Sequence, residues 1–207
     1  GHRQVRGLNK QALRRSATVG LVFAAGMSCW VMGIFTGTHV GEGAFLTSLG
    51  VVLVPVMGFL FFKEVQAVST WLALLVACIG LALLSLKQGF HVELGQIFYL
   101  SAAIIFALFF RLNTQAANVM VRIDKNGLQY HEEAVPAIAL TSVVLFMVGL
   151  CCGVLSLLFE VWQPTLTHFS LAMLGWIVAS AFIGTAMRFL LQTYAQSLSN
   201  NTHGVVI

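Results

Sequence analysis

The chain has 207 residues, of which 58% are hydrophobic and only 9% charged. A soluble domain usually carries about 25% charged residues to solvate its surface, so 9% excludes a water-exposed globule of this size and makes lipid the solvent for most of the surface. The formal charge of +4 arises from basic residues lying between apolar runs, which fits membrane orientation better than nucleic-acid binding.

Residues 1–15 are polar and basic, with no signal-peptide core. Six apolar segments then follow, each near the 20 residues needed to cross a hydrocarbon core. They run roughly Ala17–Thr38, Gly43–Phe62, Val65–Leu86, Leu94–Phe110, Ala134–Phe159 and Phe169–Leu191. A seventh starts at Gly204, and both ends of the sequence read as breaks within a longer protein. Barrel strands would be about half as long and would alternate apolar with polar. The expectation is therefore an all-α integral membrane protein, a polytopic helix bundle.

The connections are short: Gly41-Glu42-Gly43, Lys63-Glu64, Lys87-Gln88-Gly89, and Glu160 to His168 with Pro164. The longest, Arg122 to Glu133, holds Asp124-Lys125-Asn126-Gly127. With the N-terminal tail in the cytoplasm, Arg3, Arg6, Lys10, Arg14, Arg15, Lys63, Arg122 and Lys125 lie inside, and Lys87 alone lies outside. That bias obeys the positive-inside rule. It puts Glu42, Glu93, Glu160 and His168 outside.

Within the first segment, Gly33 and Gly37 form a small-xxx-small pair that lets helix backbones approach; Gly149 and Gly153 repeat the pattern in the fifth. Trp30 sits mid-segment, where its indole N–H needs a partner; Ser28 and Met32 are near, and His39 ends the segment. Pro55 interrupts the hydrogen-bond ladder of the second segment and reads as a kink or as part of a substrate path. Glu64, at a tight turn, is placed to cap the third segment, and Glu132 and Glu133 to do the same for the fifth. Tyr99 and Phe106 share one face of the fourth segment, as cavity wall or as ordinary packing. Beyond them, Arg111, Gln115, Asn118 and Arg122 form a polar stripe that reads as a solvated helix extension with a snorkelling arginine.

The sixth segment carries the most informative residue. Arg188 lies about 12 Å from the inner end if the helix runs to Gln196. Thr185, Arg188, Gln192, Gln196 and Ser199 share one face at helical spacing. That face either lines an aqueous path and binds an anionic group, or carries an arginine that snorkels to lipid headgroups.

Cys29, Cys78, Cys151 and Cys152 lie in apolar runs without metal spacing. His131-Glu132-Glu133 lacks the second histidine of a zinc-protease helix, and there is no nucleophile elbow or phosphate loop. The expectation is a protein that is not an enzyme and needs no metal or cofactor.

Taken in order, Gly43-Ala44-Phe45-Leu46-Thr47-Ser48-Leu49, Val54-Pro55-Val56, Phe61-Phe62-Lys63-Glu64 and Ile79-Gly80-Leu81-Ala82-Leu83-Leu84 resemble the drug/metabolite transporter superfamily, in its EamA-like branch. A second partial copy starts near Glu93-Leu94-Gly95. It continues through Gly184-Thr185-Ala186 to Tyr194-Ala195-Gln196, and Gly204-Val205-Val206-Ile207 stands where Gly43-Ala44-Phe45-Leu46 stands in the first. Phe106-Ala107 departs from the family's Trp-Ala pair. The resemblance implies ten helices in two inverted five-helix repeats. Residues 1–15 would be a cytoplasmic basic loop, 16–90 the C-terminal part of the first repeat and 91–207 the N-terminal part of the second. It further implies a multi-pass transporter of the bacterial inner membrane, exporting amino acids or related small metabolites by alternating access.

In that frame Arg188, Gln192 and Thr185 contact substrate, while Trp30, Tyr99 and Phe106 shape the cavity. Pro55, Glu64, Gly33 and Gly37 serve as structural or hinge positions. Proton coupling is compatible with this, although no acidic residue lies inside a segment to carry the proton. Partners are membrane lipids and a small solute, not nucleic acid. Two rival readings stand beside it: a membrane enzyme acting on lipid-linked substrates, which would need paired acids, a histidine or a metal set where the chain offers only scattered residues, and a structural subunit with a fully packed centre in which Arg188 snorkels to lipid.

Overall fold

The structure is a computed structural model, and it describes residues 9–37, 40–62, 68–86, 94–123, 129–160 and 170–198. In chain order it holds α1 (Lys10–Thr36), α2 (Val40–Phe62), α3 (Val68–Leu86) and α4 (Leu94–Ala117). A hairpin of β1 (Met120–Ile123) and β2 (Gln129–Glu132) follows, then α5 (Ala137–Phe159) and α6 (Leu171–Leu198). Four of these helices, α1, α4, α5 and α6, are long and apolar enough to cross a membrane. The shorter apolar stretches Phe45–Leu60 and Val68–Gly80 lie in α2 and α3. Each apolar run of the sequence is thus a helix, as expected where backbone polar groups must be satisfied without water.

The boundaries depart from the apolar runs for local reasons. α1 begins at Lys10, so residues 10–15 of the basic N-terminal stretch are helical; Lys10, Gln11, Ala12, Leu13 and Arg14 are all good helix formers. Gly41-Glu42-Gly43, read as a connection, falls in the first turns of α2. The α2 helix continues through Pro55. α4 runs seven residues past Phe110, because helix formation does not stop where hydrophobicity does. α5 starts only at Ala137, since Pro136 stands at its N-cap and proline disfavours helical geometry in the residue before it. No side chain caps that end, so the capping role expected of Glu132 and Glu133 is not found. Ser170 does cap α6, its hydroxyl accepting from the Met173 N–H at 3.2 Å.

Within the segment from Arg122 to Glu133, expected as a loop, Arg122, Ile123 and Gln129–Glu132 belong to two antiparallel strands. Met120 pairs with Glu132, Val121 with His131, Arg122 with Tyr130 and Ile123 with Gln129. β-branched Val121 and Ile123 favour strand.

The chain divides into two compact units. One contains α1 up to Leu21, α4 from Asn113, the hairpin, α5 and α6. Here Gly20 lies against Val144 and Met147 of α5. Arg15 fastens three pieces of backbone: its guanidinium donates to the Gln115 carbonyl at 3.1 Å and to the Glu133 carbonyl at 3.2 Å. The Val135 N–H donates to the Ala116 carbonyl at 2.9 Å beside it. An Arg15→Gln variant is expected to lose about 1–2 kcal/mol, the lower range for charge-assisted bonds because one of the two is exposed; a lowered unfolding midpoint in detergent checks this.

The other unit contains α1 from Val22, α2, α3 and α4 up to Leu112. Phe23 stacks on Phe109 at 4.4 Å between centroids and tilts against Phe106 at 5.7 Å. Small residues let helices close up: Gly26 meets the Phe106 ring, Gly50 meets the Ala103 backbone, and Gly37 meets Gly95. The T-shaped pair Phe59–Trp71 joins α2 to α3 at 5.5 Å. Dispersion between close backbones and rings stands in for the hydrophobic drive that lipid removes.

Candidate functional site

The C-terminal half of α6 reads Arg188-Phe-Leu-Leu-Gln192-Thr193-Tyr194-Ala195-Gln196-Ser197-Leu198. Gln192 and Gln196 are one turn apart and share a face. Thr193 and Gln196 are the buried residues of this half, Gln196 completely so. They are buried polar groups in an apolar protein, so their hydrogen bonds decide what they cost.

Asn113 on α4 supplies the main partner. Its amide N–H groups donate to the Gln196 Oε1 at 2.6 Å and to the Thr193 Oγ1 at 3.1 Å. Asn113 is itself 1% exposed. One turn on, the Asn118 amide donates to the Thr114 carbonyl at 2.8 Å and to the Gln196 carbonyl at 2.9 Å. Two asparagines thus hold one glutamine by both its side chain and its backbone.

Not every group is satisfied. The amide nitrogens of Gln192 and Gln196 are both buried and have no hydrogen-bond partner among the described residues, and the same holds for the Thr141 hydroxyl on α5, the helix that packs on this half of α6. A buried N–H without an acceptor costs about 1–3 kcal/mol. Such groups in a folded protein call for an explanation.

Arg188 lies one turn before Gln192, on the same face, and is exposed. Its guanidinium carbon stands 5.2 Å from the Phe189 ring centroid, a cation–π contact. The face is therefore graded, from an exposed cation through half-buried Gln192 to fully buried Gln196.

Thr185 has left this stripe. Ser180–Met187 is π-helical, and the Thr185 hydroxyl donates five residues back to the Ser180 carbonyl at 3.3 Å. The wider turn rotates Thr185 away from its α-helical phase with Arg188. It instead joins Met173, Trp176, Ile177, Ser180 and Ala181 around an open, mostly apolar depression on α6. Ser199 lies outside the described residues.

Trp30, Tyr99, Phe106, Pro55, Gly33 and Gly37 all belong to the other unit. Tyr99 is 3% exposed, and its ring lies against Gly33, Gly37 and Gly43. Phe106 is half-buried against Gly26 and Phe23. Trp30 and Pro55 are half-buried. The hydroxyl of Ser28 donates to the Ala24 carbonyl at 2.9 Å, so its proton is committed to its own helix. Glu64 lies outside the described residues.

The stripe beginning at Arg111 is not the solvated extension expected of it. Arg111 is 3% exposed, and Gln115 and Asn118 are half-buried. The arginine does not snorkel to a surface. Gly149 and Gly153 likewise differ from expectation, since nothing stands within 4 Å of the side chain either could carry.

Asn113 is the residue that sequence reasoning missed. It lies about 200° around the helix from Arg111, so a stripe drawn through Arg111 passes it by. The four cysteines are free, and the described residues hold no group of three His, Cys, Asp or Glu arranged to bind a metal. The chain matches no protein-family profile, no curated protein and no solved structure.

Proposed function

We propose that the protein is a secondary transporter of a cell membrane, of the two-repeat drug/metabolite class that its sequence resembles, moving amino acids or related small metabolites by alternating access. In that arrangement these six helices are part of a ten-helix fold, and residues 1–15 face the cytoplasm. The polar face of α6 meets the substrate through Arg188 and Gln192.

One observation carries this reading: carboxamide donors without partners among the described residues, buried in helices long and apolar enough to cross a membrane. A purely structural subunit gains nothing from them, since apolar residues of the same volume would pack there without the desolvation cost. A carrier uses such groups to meet its cargo, because polar residues kept inside a membrane bundle despite their cost mark solute pathways. Export of amino acids from cells overproducing the full protein, against cells carrying an empty vector, tests the activity. Arg188→Ala, inserted at normal levels, is expected to lower the rate about tenfold or more, the loss of one charge-assisted contact. Normal export by that variant would remove Arg188 from the substrate path.

A further inference from the structure

We infer that Gln192 and Gln196 form a binding site for the carboxylate of a small solute, with Asn113 as the positioning residue that turns Gln196 toward it. The inference rests on the transporter reading and specifies its substrate class.

The chemistry follows from which atoms are already spent. Asn113 approaches Gln196 with an N–H, so it is the oxygen of Gln196 that faces Asn113. The Gln196 NH2 group is thereby turned away from Asn113, and it has no partner among the described residues. Gln192, one turn earlier on the same face, has a second NH2 group that is buried and likewise unpartnered among the described residues. Together they offer up to four N–H donors within one helical turn.

A cluster of donors takes an acceptor and rejects an ammonium group. Water satisfies such a site poorly, because it brings two protons along with its lone pairs. A carboxylate brings about four lone-pair sites and no proton, and its two oxygens can divide between two amides. Arg188, the one charged residue in α6 and one turn from Gln192, balances a single negative charge at the exposed end of the same face. One guanidinium matches a monoanion better than a phosphate dianion. Both amide nitrogens are closed to solvent here, so entry requires the end of α6 to turn. The π-helical stretch Ser180–Met187, directly before it, is a place where the hydrogen-bond register is already loosened.

Three solutes of equal size and different end group test the site: sodium propionate, propionamide and propylammonium chloride. Each is titrated against the purified protein in detergent, with sodium chloride at matched ionic strength as reference, and the unfolding midpoint is read. Propionate is expected to raise the midpoint saturably, propionamide to act more weakly, and propylammonium to do no more than sodium chloride. Gln196→Leu and Asn113→Asp are each expected to weaken the propionate effect at least tenfold. In the second, a carboxylate that cannot donate draws the Gln196 N–H back toward itself. Gln196→Glu, which exchanges the donor for an acceptor, is expected to abolish the propionate effect and admit propylammonium.

Equal response to propionate and propylammonium, or a propionate response unchanged in Asn113→Asp and Gln196→Glu, overturns the site; those two variants decide it if the leucine variant does not fold. Stabilisation of delipidated protein by phosphatidylglycerol but not by propionate also overturns it, in favour of a lipid headgroup. Propionate binding through Gln196 in a full chain that exports nothing leaves the site standing and removes the transporter reading. Export that ignores Asn113→Asp and Gln196→Glu does the reverse.

Discussion

Replacement of Gly95 by leucine is expected to prevent assembly of the unit that holds α2 and α3. A Cβ at Gly95 would lie 2.5 Å from the Gly37 Cα and 2.8 Å from its nitrogen, with the Gly33 carbonyl oxygen at 3.2 Å. These are backbone atoms, so no rotamer change relieves the clash and α1 must move off α4. Overpacking typically costs about 1–3 kcal/mol, and a clash against backbone belongs at or above the top of that range. In a membrane the loss is not offset by reburial elsewhere, because contact between helices is itself the drive. The measurement is the yield of monodisperse protein on size exclusion in detergent, with the unfolding midpoint of whatever survives. Gly153→Leu is the control: nothing lies within 4 Å of that position, and its midpoint should stay within experimental scatter. A Gly95→Leu protein as stable as the control would show that this close approach does not form.

Asn113→Leu is expected to cost about 2–4 kcal/mol. It deletes two buried hydrogen bonds, each worth about 0.5–1.5 kcal/mol net and averaging nearer 0.6 between membrane helices. It also leaves the Gln196 oxygen buried without a donor, at about 1–3 kcal/mol. The second part is recoverable. In Asn113→Leu/Gln196→Leu both partners are apolar, and the orphaned acceptor has gone together with a donor that was already unpaired. The double variant should therefore be more stable than Asn113→Leu alone, and the double-mutant cycle should give clear coupling. Strict additivity of the two single changes would mean that the Asn113–Gln196 bond contributes nothing.

These expectations mark how far the residue order could be read without coordinates. The six helices were legible because lipid leaves a chain few alternatives, and apolar runs of the right length report it directly. The start of α5 was hidden only by Pro136 lying two residues inside the apolar run. The strands had their signal in β-branched Val121 and Ile123, which a polar stretch between spans, read as a loop, concealed. The site was half legible. Gln192, Gln196 and Arg188 were visible as one helical face, since that half of α6 is α-helical and spacing translates into direction. Thr185 was misassigned to it because no residue pattern announces a π turn. The burial of Arg111 and the reach of Asn113 depend on which helix lies across from α4, and that is a fact of tertiary packing, invisible to any periodicity within one segment.

The Tyr99 ring, set against Gly33, Gly37 and Gly43, has a consequence for how this protein can change over time. A methyl group added at Gly33 or Gly43 would lie under 3 Å from the ring, so the ring must shift to admit either. Single substitutions at these sites are therefore disfavoured, while paired ones that shrink the aromatic as they enlarge a glycine remain open. Variation among homologous chains should then be concerted at these positions, with bulk conserved as a sum across the set instead of residue by residue.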